Sequence, residues 1–114
     1  MDIESIRTYC LSFPHATEGV QWGNDLLFRI GGKMFAVVVL DAASPVKVTF
    51  KCTPEVFAEL TEQEHIIPAP YAARYHWVAL ERWDALSTKE LKEHIKDSYE
   101  MVLAKLPKKV RQSL

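Results

Sequence analysis

The chain has 114 residues, of which 48% are hydrophobic and 25% charged, and its formal net charge is −1. A chain of this length forms one domain, so a single domain over residues 1–114 is expected, and the composition is that of an ordinary globular protein. The near-neutral charge excludes attraction of the whole molecule to nucleic acid or to an anionic membrane, so binding to either requires a local basic patch.

The cysteines and the apolar segments predict a cytoplasmic protein with no membrane partner. Cys10 falls on an apolar helical stripe and Cys52 on the apolar side of a strand, and neither belongs to a CxxC pair. Isolated apolar thiols of this kind are typical of a reducing compartment. The longest apolar run, Met34 to Leu40, is too short to cross a bilayer, and the first residues lack an export pattern.

The first half of the chain predicts one helix followed by strands. Asp2 is the candidate N-cap of a helix that ends by Pro14, with apolar residues at helical spacing between them. Alternating or continuous apolar residues then predict three strands, at 26–30, 34–40 and 46–52. The Gly31-Gly32-Lys33 turn separates the first two strands, and a turn at 42–45 separates the second from the third.

The strand at 46–52 shows the strictest alternation. Its apolar residues fall on one face, and Lys47, Thr49 and Lys51 fall on the other. Because side chains of a strand alternate between its two faces, the apolar face is expected in the core and the polar face in water. Neighbouring side chains on the polar face stand about 6–7 Å apart, close to the phosphate spacing in one strand of DNA. The alternative is that these lysines only keep a sheet face soluble and discourage edge pairing.

The second half of the chain predicts two helices with a strand between them. Thr53-Pro54-Glu55 opens the first helix with a capping threonine and a proline at the first helical position. A capping box at 87–90 begins the second helix, which ends at Pro107, before a basic tail. Residues 66–70 predict a proline-bearing connection, and residues 75–82 predict a strand. This order of elements indicates an α+β fold, a two-layer sandwich in which helices pack on an antiparallel sheet.

No pattern of catalytic or metal-binding residues occurs, which predicts a protein that is not an enzyme and needs no cofactor or metal. Gly31-Gly32-Lys33 lacks the flanking residues of a phosphate-binding loop, and there is no GxSxG elbow. The four histidines form no HxH or HxxxH pair. His76 is the most interesting of them, because it falls between Tyr75 and Trp77 on a predicted strand. Packing at a sheet edge is the alternative to a functional role.

The basic residues are unevenly distributed. Between positions 29 and 51 the basic residues outnumber the single acid, Asp41, and the tail after Ala104 has basic residues but no acid. The basic residues are Arg29, Lys33, Lys47 and Lys51 in the first region and Lys105, Lys108, Lys109 and Arg111 in the second. The sequence therefore predicts a basic side, made of hairpins and tail, together with an acidic second helix.

Several segments match a known pattern in the expected order along nearly the whole chain. They are Arg29–Ala36, Lys51–Glu55, Tyr75–Val78 and, taken together, Ser98-Tyr99 with Leu106–Lys109. In these segments the sequence resembles the MmcQ/YjbR family. The resemblance implies a compact α+β fold similar to CyaY-like and secretion-chaperone-like domains. It also implies a DNA-binding module in which two hairpin wings flank a groove of the DNA.

Carried onto this sequence, the resemblance places the first wing at the Arg29–Phe35 turn, with Lys33 at its tip, and the second at the Asp41–Lys47 turn. The implied nucleic-acid-binding residues are Arg29, Lys33, Lys47, Thr49, Lys51, Arg74 and His76. The second turn departs from the pattern, because the residues at its tip, 42–45, carry no positive charge.

Two hypotheses of different classes follow. The first is a non-enzymatic DNA-binding protein with modest sequence specificity, since few side chains suited to reading base edges lie on the basic face. The second is a protein-interaction or small-ligand module with no nucleic-acid role, in which an aromatic patch receives the partner. The residues of that patch are Tyr71, Tyr75, Trp77 and Trp83.

Overall fold

A six-stranded antiparallel sheet with the strand order β1-β2-β3-β4-β6-β5 is the centre of the fold in the computed structural model, which describes all 114 residues. The helices are α1 (Ile3–Leu11), α2 (Pro54–Leu60), α3 (Thr88–Lys105) and α4 (Lys108–Gln112), with a short 3-10 turn at Ala73–Tyr75. The strands are β1 (Thr17–Gln21), β2 (Asp25–Ile30), β3 (Lys33–Val39), β4 (Val48–Lys51), β5 (Ile66–Pro68) and β6 (Trp77–Leu80). The α+β prediction is confirmed. No helix combines the length and the apolar character needed to cross a membrane.

Three helices begin at the caps that the sequence predicts. The Asp2 carboxylate accepts a hydrogen bond from the backbone N–H of Ser5, and the Thr53 hydroxyl accepts one from Val56. Ser87 and Glu90 satisfy each other's backbone N–H groups at the start of α3. These side chains pair donors that a helix terminus otherwise leaves free, so the helix starts are fixed locally.

The main core lies between the sheet and the helices. Alternate residues of the strands supply its sheet side, including the fully buried Phe28 and Phe50, and the apolar stripe of α3 covers them with Leu91 and Ile95. Tyr99 of α3 is also buried, and its hydroxyl donates a hydrogen bond to the Pro14 carbonyl at 2.8 Å. Helix α3 is therefore the principal cover of the sheet.

The apolar run at 34–40 reflects cover on both faces of β3, with Val38 in the main core and Val37 in an apolar cluster on the opposite face, and a bulge. Phe28 of β2 lies opposite Ala36, whereas Arg29 lies opposite Met34, so Phe35 is an extra residue on β3. Phe35 and Ala36 are consecutive and both fully buried in the main core. An extra residue of this kind breaks the alternation of faces and locally disrupts the backbone ladder.

The face of the sheet opposite the helices is less exposed than expected. Leu27, Val37 and Ala79 form a second apolar cluster there with Trp77 of β6 and with Ala69, which directly follows β5. The expectation of a basic face in water was therefore wrong in part, because Lys47, Thr49 and Lys51 are half-buried and share this face with the apolar cluster.

Four further elements differ from the prediction. Strand β1 was not expected, because four of its five residues are exposed and it lacks an apolar period. Residues 66–68 form an edge strand rather than a connection, and Pro68 is tolerated there because an edge residue needs no partner for its missing N–H. The strand predicted at 75–82 begins only at Trp77, since His76 adopts a left-handed conformation. The basic tail forms α4.

Candidate functional site

An open groove with a volume of about 450 Å³ lies at one end of the sheet. Strand β3 begins there, the antiparallel β4 ends there and β6 begins there, so Lys33, Lys51 and Trp77 all lie at the same end. The other walls come from Tyr75 and from the end of α3, which adds Lys105. We call this site the lysine groove. Met34, Val102, Leu106 and Pro107 complete it with apolar surface.

The end of α3 is held against the β2–β3 turn by close packing at Gly31. Gly31 has φ +57°, and a Cβ at this position would lie 2.5 Å from Leu106 Cδ1 and 3.1 Å from Val110 Cγ1. Only glycine combines this backbone conformation with this approach. Because Leu106 packs on the turn that precedes Lys33, Lys105 and Lys33 come to line the same groove.

Lys51 is held by two hydrogen bonds at the end of the β4 ladder. Its backbone N–H donates to the Ser98 hydroxyl at 3.1 Å, and that hydroxyl donates to the Phe35 carbonyl at 2.6 Å. Ser98 thus satisfies the two backbone groups that the bulge in β3 leaves without their ladder partners. The Lys51 ammonium donates to the Tyr75 carbonyl at 3.1 Å, which ties it to the aromatic wall of the groove.

The charge of the groove is entirely positive. None of its lining residues is acidic, and none of the four ion pairs in the protein involves Lys33, Lys51 or Lys105. Partial burial lowers the pKa of Lys51, and the neighbouring charge of Lys105 lowers it further. The mutual repulsion of these cations favours a bound anion, which would compensate their charge.

The groove joins residues from both hypotheses. Lys33 and Lys51 come from the predicted basic surface, and Tyr75 and Trp77 come from the predicted aromatic patch. Arg74 is exposed beside it, with its guanidinium carbon 4.9 Å from the centroid of the Tyr75 ring. Parts of the basic surface and of the aromatic patch, which the sequence presented as alternatives, are therefore adjacent, whereas Trp83 packs against the main core.

Besides Arg74, four other predicted site residues lie outside the groove walls. Arg29 points along the outer face of the sheet towards β1, where its Nη1 lies 3.3 Å from the position of a Cβ on Gly19. The Lys47 ammonium donates to the Ala42 and Ser44 carbonyls and closes its own turn. The lysine of the proposed second wing is thus bound to the turn itself.

The other two are Thr49 and His76. Thr49 lies between Val37 and Ala79 in the outer apolar row of the sheet. His76 was predicted on a strand, and this was wrong: its φ is +64°, and its ring packs edge-on against Phe57 of α2 with centroids 5.7 Å apart. Its carbonyl accepts the backbone N–H of Cys52 at 2.9 Å. His76 therefore joins β4 to the segment before β6.

Lys105 is the groove cation that sequence reasoning did not assign to the site. It was counted with the basic region after Ala104, and its position in the last turn of α3 places it at the groove. The signal was present in the apolar stripe of α3, which continues to Leu106. That stripe requires the last turn of the helix to pack on the sheet.

A second, smaller groove of about 370 Å³ contains Cys52, His94, Asp97 and Glu100 among its walls. His94 stacks on Phe50 with ring centroids 5.6 Å apart. Burial raises the pKa of the Cys52 thiol to about 11 and that of Cys10 to about 12, so neither is a nucleophile at neutral pH. No three His, Cys, Asp or Glu side chains are placed to share a metal ion.

Sequence comparison identifies the family. The sequence profile of the YjbR family matches residues 11–101, which is most of the chain. The chain belongs to the YjbR family. No curated protein matches this YjbR-family chain. Among solved structures, it is similar to a Pseudomonas syringae protein from a structural-genomics programme, with a TM-score of 0.74 and 20% sequence identity. The similarity covers 90% of this chain and 99% of the other, and at this identity it establishes a shared fold.

Proposed function

We propose that this YjbR-family protein is a non-enzymatic DNA-binding protein and that the lysine groove makes its main phosphate contacts. The observation that carries the proposal is the convergence of Lys33, Lys51 and Lys105 on one groove that contains no carboxylate. Lysine ammonium groups without an internal ion pair are free to neutralise phosphates and release their counterions.

The position of Lys33 supports a role for the first hairpin. It follows the Gly31-Gly32 turn directly, is exposed, and lines the groove. The Asp41–Lys47 turn is a weaker candidate for phosphate contact, because the Lys47 ammonium is bound to carbonyls of its own turn. The proposal therefore relies on the first hairpin and the end of α3 rather than on two equivalent wings.

The chemistry of the groove favours binding over catalysis. Its ionisable walls are three lysines and one tyrosine, with no cysteine, serine, histidine or carboxylate beside them to complete a nucleophile–base pair. They also contain no asparagine, glutamine or arginine for bidentate contacts to base edges. We therefore expect little discrimination between sequences, and an affinity dominated by electrostatics.

A second candidate function is supported by the exposed tyrosine in the groove wall. Tyr75 lines the groove and is 53% exposed. Exposed tyrosines are enriched where proteins bind partners. A protein or small-ligand partner with an anionic group would use the same groove without any role for nucleic acid.

Fluorescence anisotropy of labelled DNA, titrated with the protein at several salt concentrations, tests the proposed function. Three phosphate contacts predict that log affinity falls with log salt at a slope of roughly −2 to −3. Lys105→Glu should weaken binding by about tenfold or more at low salt. The matched control is Lys89→Glu, which makes the same charge change on the same helix roughly 24 Å away, and it should bind like the wild type within about threefold.

Three results would contradict the proposal. The first is the absence of DNA binding at low salt by protein whose circular dichroism shows it to be folded. The second is an affinity that does not depend on salt. The third is an equal loss of affinity in Lys105→Glu and Lys89→Glu, because that result would indicate a response to net charge rather than to the groove. The first two results favour the second candidate function.

A further inference from the structure

We infer that the lysine groove receives an unpaired nucleotide of single-stranded DNA, with its phosphate at the lysines and its base on the Tyr75 ring. This inference rests on the proposed function and specifies the form of DNA that the groove takes. It is carried by two observations that are independent of each other. One is the recessed shape of the site, and the other is an exposed aromatic ring adjoining its cations.

The shape of the site distinguishes the two forms of DNA. Duplex recognition in the major groove requires a protruding helix or strand pair that enters the DNA. The lysine groove is instead a concave site of about 450 Å³ between the β2–β3 turn and the end of α3. Lys51 lines its wall and is half-buried, so a ligand must enter the groove to reach it. A single strand, with its phosphates and unpaired bases accessible, can follow such a channel.

Tyr75 provides the stacking surface. It lines the groove with 53% of its surface exposed, whereas Trp77 is only 8% exposed and forms part of the wall. Every base presents an apolar face that stacks on an aromatic ring, but in a duplex that face is already covered by neighbouring base pairs. An exposed ring next to cations therefore favours an unpaired base.

Lys51 connects the two halves of the site. Its ammonium donates one hydrogen bond to the Tyr75 carbonyl, and an ammonium has three donors, so two remain for a phosphate. The cation is thereby fixed close to the residue whose ring would hold the base. Arg74, with its guanidinium over the same ring, adds a planar cation that can also stack on a base or contact the next phosphate.

The experiment compares a labelled oligonucleotide of about 12 thymidines with the duplex that it forms with its complement, by anisotropy at low salt. We expect the wild type to bind the single strand at least about tenfold more tightly than the duplex. Tyr75→Ala should lose about tenfold for the single strand, as expected for one stacked base, and little for the duplex. Tyr75→Phe, which retains the ring, should bind the single strand like the wild type.

Tyr71→Ala is the matched control, because Tyr71 is a fully exposed tyrosine on the same segment that does not line the groove. It should leave the affinity for the single strand unchanged. Equal losses in Tyr71→Ala and Tyr75→Ala would overturn the assignment of the base to the groove. Thermal unfolding of each variant separates a folding defect from a binding defect. If Tyr75→Ala does not fold, Tyr75→Leu, which keeps an apolar side chain but removes the ring, provides the test and should show the same loss for the single strand.

The inference and the proposed function fail in different ways. Duplex binding equal to or tighter than single-strand binding, with a loss in Lys105→Glu but none in Tyr75→Ala, would overturn the inference and leave the proposed function in place. Absence of binding to either form of DNA would overturn both. A single-strand preference that Tyr75→Ala abolishes and Tyr75→Phe retains would support both.

Discussion

The hydroxyl of Ser98 donates a hydrogen bond of 2.6 Å to the carbonyl of Phe35, the extra residue of the β3 bulge. The same hydroxyl accepts the backbone N–H of Lys51, so one side chain of α3 closes the gap between β3 and β4. Ser98 is fully buried and is the only polar residue among the buried ones. It fixes the backbone of Lys51 at the edge of the lysine groove.

Ser98→Ala should destabilise the protein by about 1–3 kcal/mol, because it leaves a carbonyl and an N–H group without partners in the interior. Urea unfolding followed by circular dichroism measures the change. Ser113→Ala serves as the control, since Ser113 is exposed and bonds only to the nearby Val110 carbonyl. A loss below about 0.5 kcal/mol in Ser98→Ala would show that the two backbone groups find other partners.

Gly31 and Gly32 are neighbours that should respond differently to alanine. Both have positive φ, but a Cβ at Gly31 would meet Leu106 at 2.5 Å, whereas a Cβ at Gly32 would meet nothing within 4 Å. Both variants should lose about 1 kcal/mol from backbone strain, and Gly31→Ala should lose roughly 1–3 kcal/mol more through displacement of the α3 end. Chemical denaturation of the two variants tests this, and equal losses would contradict the packing role of Gly31.

The slope of DNA affinity against salt concentration should reflect how many groove lysines contact phosphates. Lys105→Ala should make the slope of log affinity against log salt shallower by about 0.7–0.9. Lys47→Ala, which was expected from sequence to matter as much, should leave the slope unchanged because its ammonium is bound within the Asp41–Lys47 turn. Titrations at four or more salt concentrations measure both slopes. An equal change in the two variants would favour a diffuse basic surface over the groove.

The buried thiols should make the protein less stable at alkaline pH. Burial raises the pKa of Cys10 from 9.0 to about 12 and that of Cys52 to about 11. As the pH rises above 9, the unfolded chain releases thiol protons that the folded chain retains, so the free energy of unfolding falls by up to about 1.4 kcal/mol per pH unit for each thiol. Urea unfolding between pH 8 and pH 10.5 measures this fall. Cys52→Ala should show a smaller fall than the wild type.

His15 is a surface residue in the left-handed backbone region, which residues other than glycine adopt at a cost. Its φ is +62°, and it is exposed. Asparagine tolerates this region better, so His15→Asn should stabilise the protein by roughly 0.5 kcal/mol. His94→Asn is the contrasting variant, because His94 lies in α3 and stacks on Phe50, and it should lose stability. Thermal unfolding of both variants shows whether each change raises or lowers stability. A lower stability in His15→Asn would contradict the strain argument.

The sequence predicted those parts of the fold that depend on local chemistry. The caps at Asp2, Thr53 and Ser87 and the alternation of β4 appear where they were expected, because each depends on residues close in the chain. Strand β1 was not predicted, since it is an exposed edge with no apolar period. It forms because its backbone pairs with that of β2, and this pairing is a tertiary effect.

The candidate site was predictable only in its components. Lys33, Lys51, Tyr75 and Trp77 were all named from sequence, but under two different hypotheses. The proximity of the basic and aromatic residues depends on the antiparallel pairing of β4 with β6, which brings Lys51 opposite Trp77. The arrival of Lys105 depends on the packing of α3 against the β2–β3 turn. The first relationship leaves no periodic signal in the sequence. The second leaves the apolar stripe of α3, which does not specify the turn that the helix end meets.

The role of α3 as the main cover of the sheet has a consequence for synthesis of the protein. Strands β1 to β4 pair as successive neighbours, yet much of the apolar side of that meander is covered by α3, which begins at Thr88. A nascent chain that ends before Thr88 lacks this cover over Phe28, Phe35 and Phe50. The domain therefore completes its core only once its C-terminal quarter has been made, and until then its partly covered strands are a natural target for chaperones.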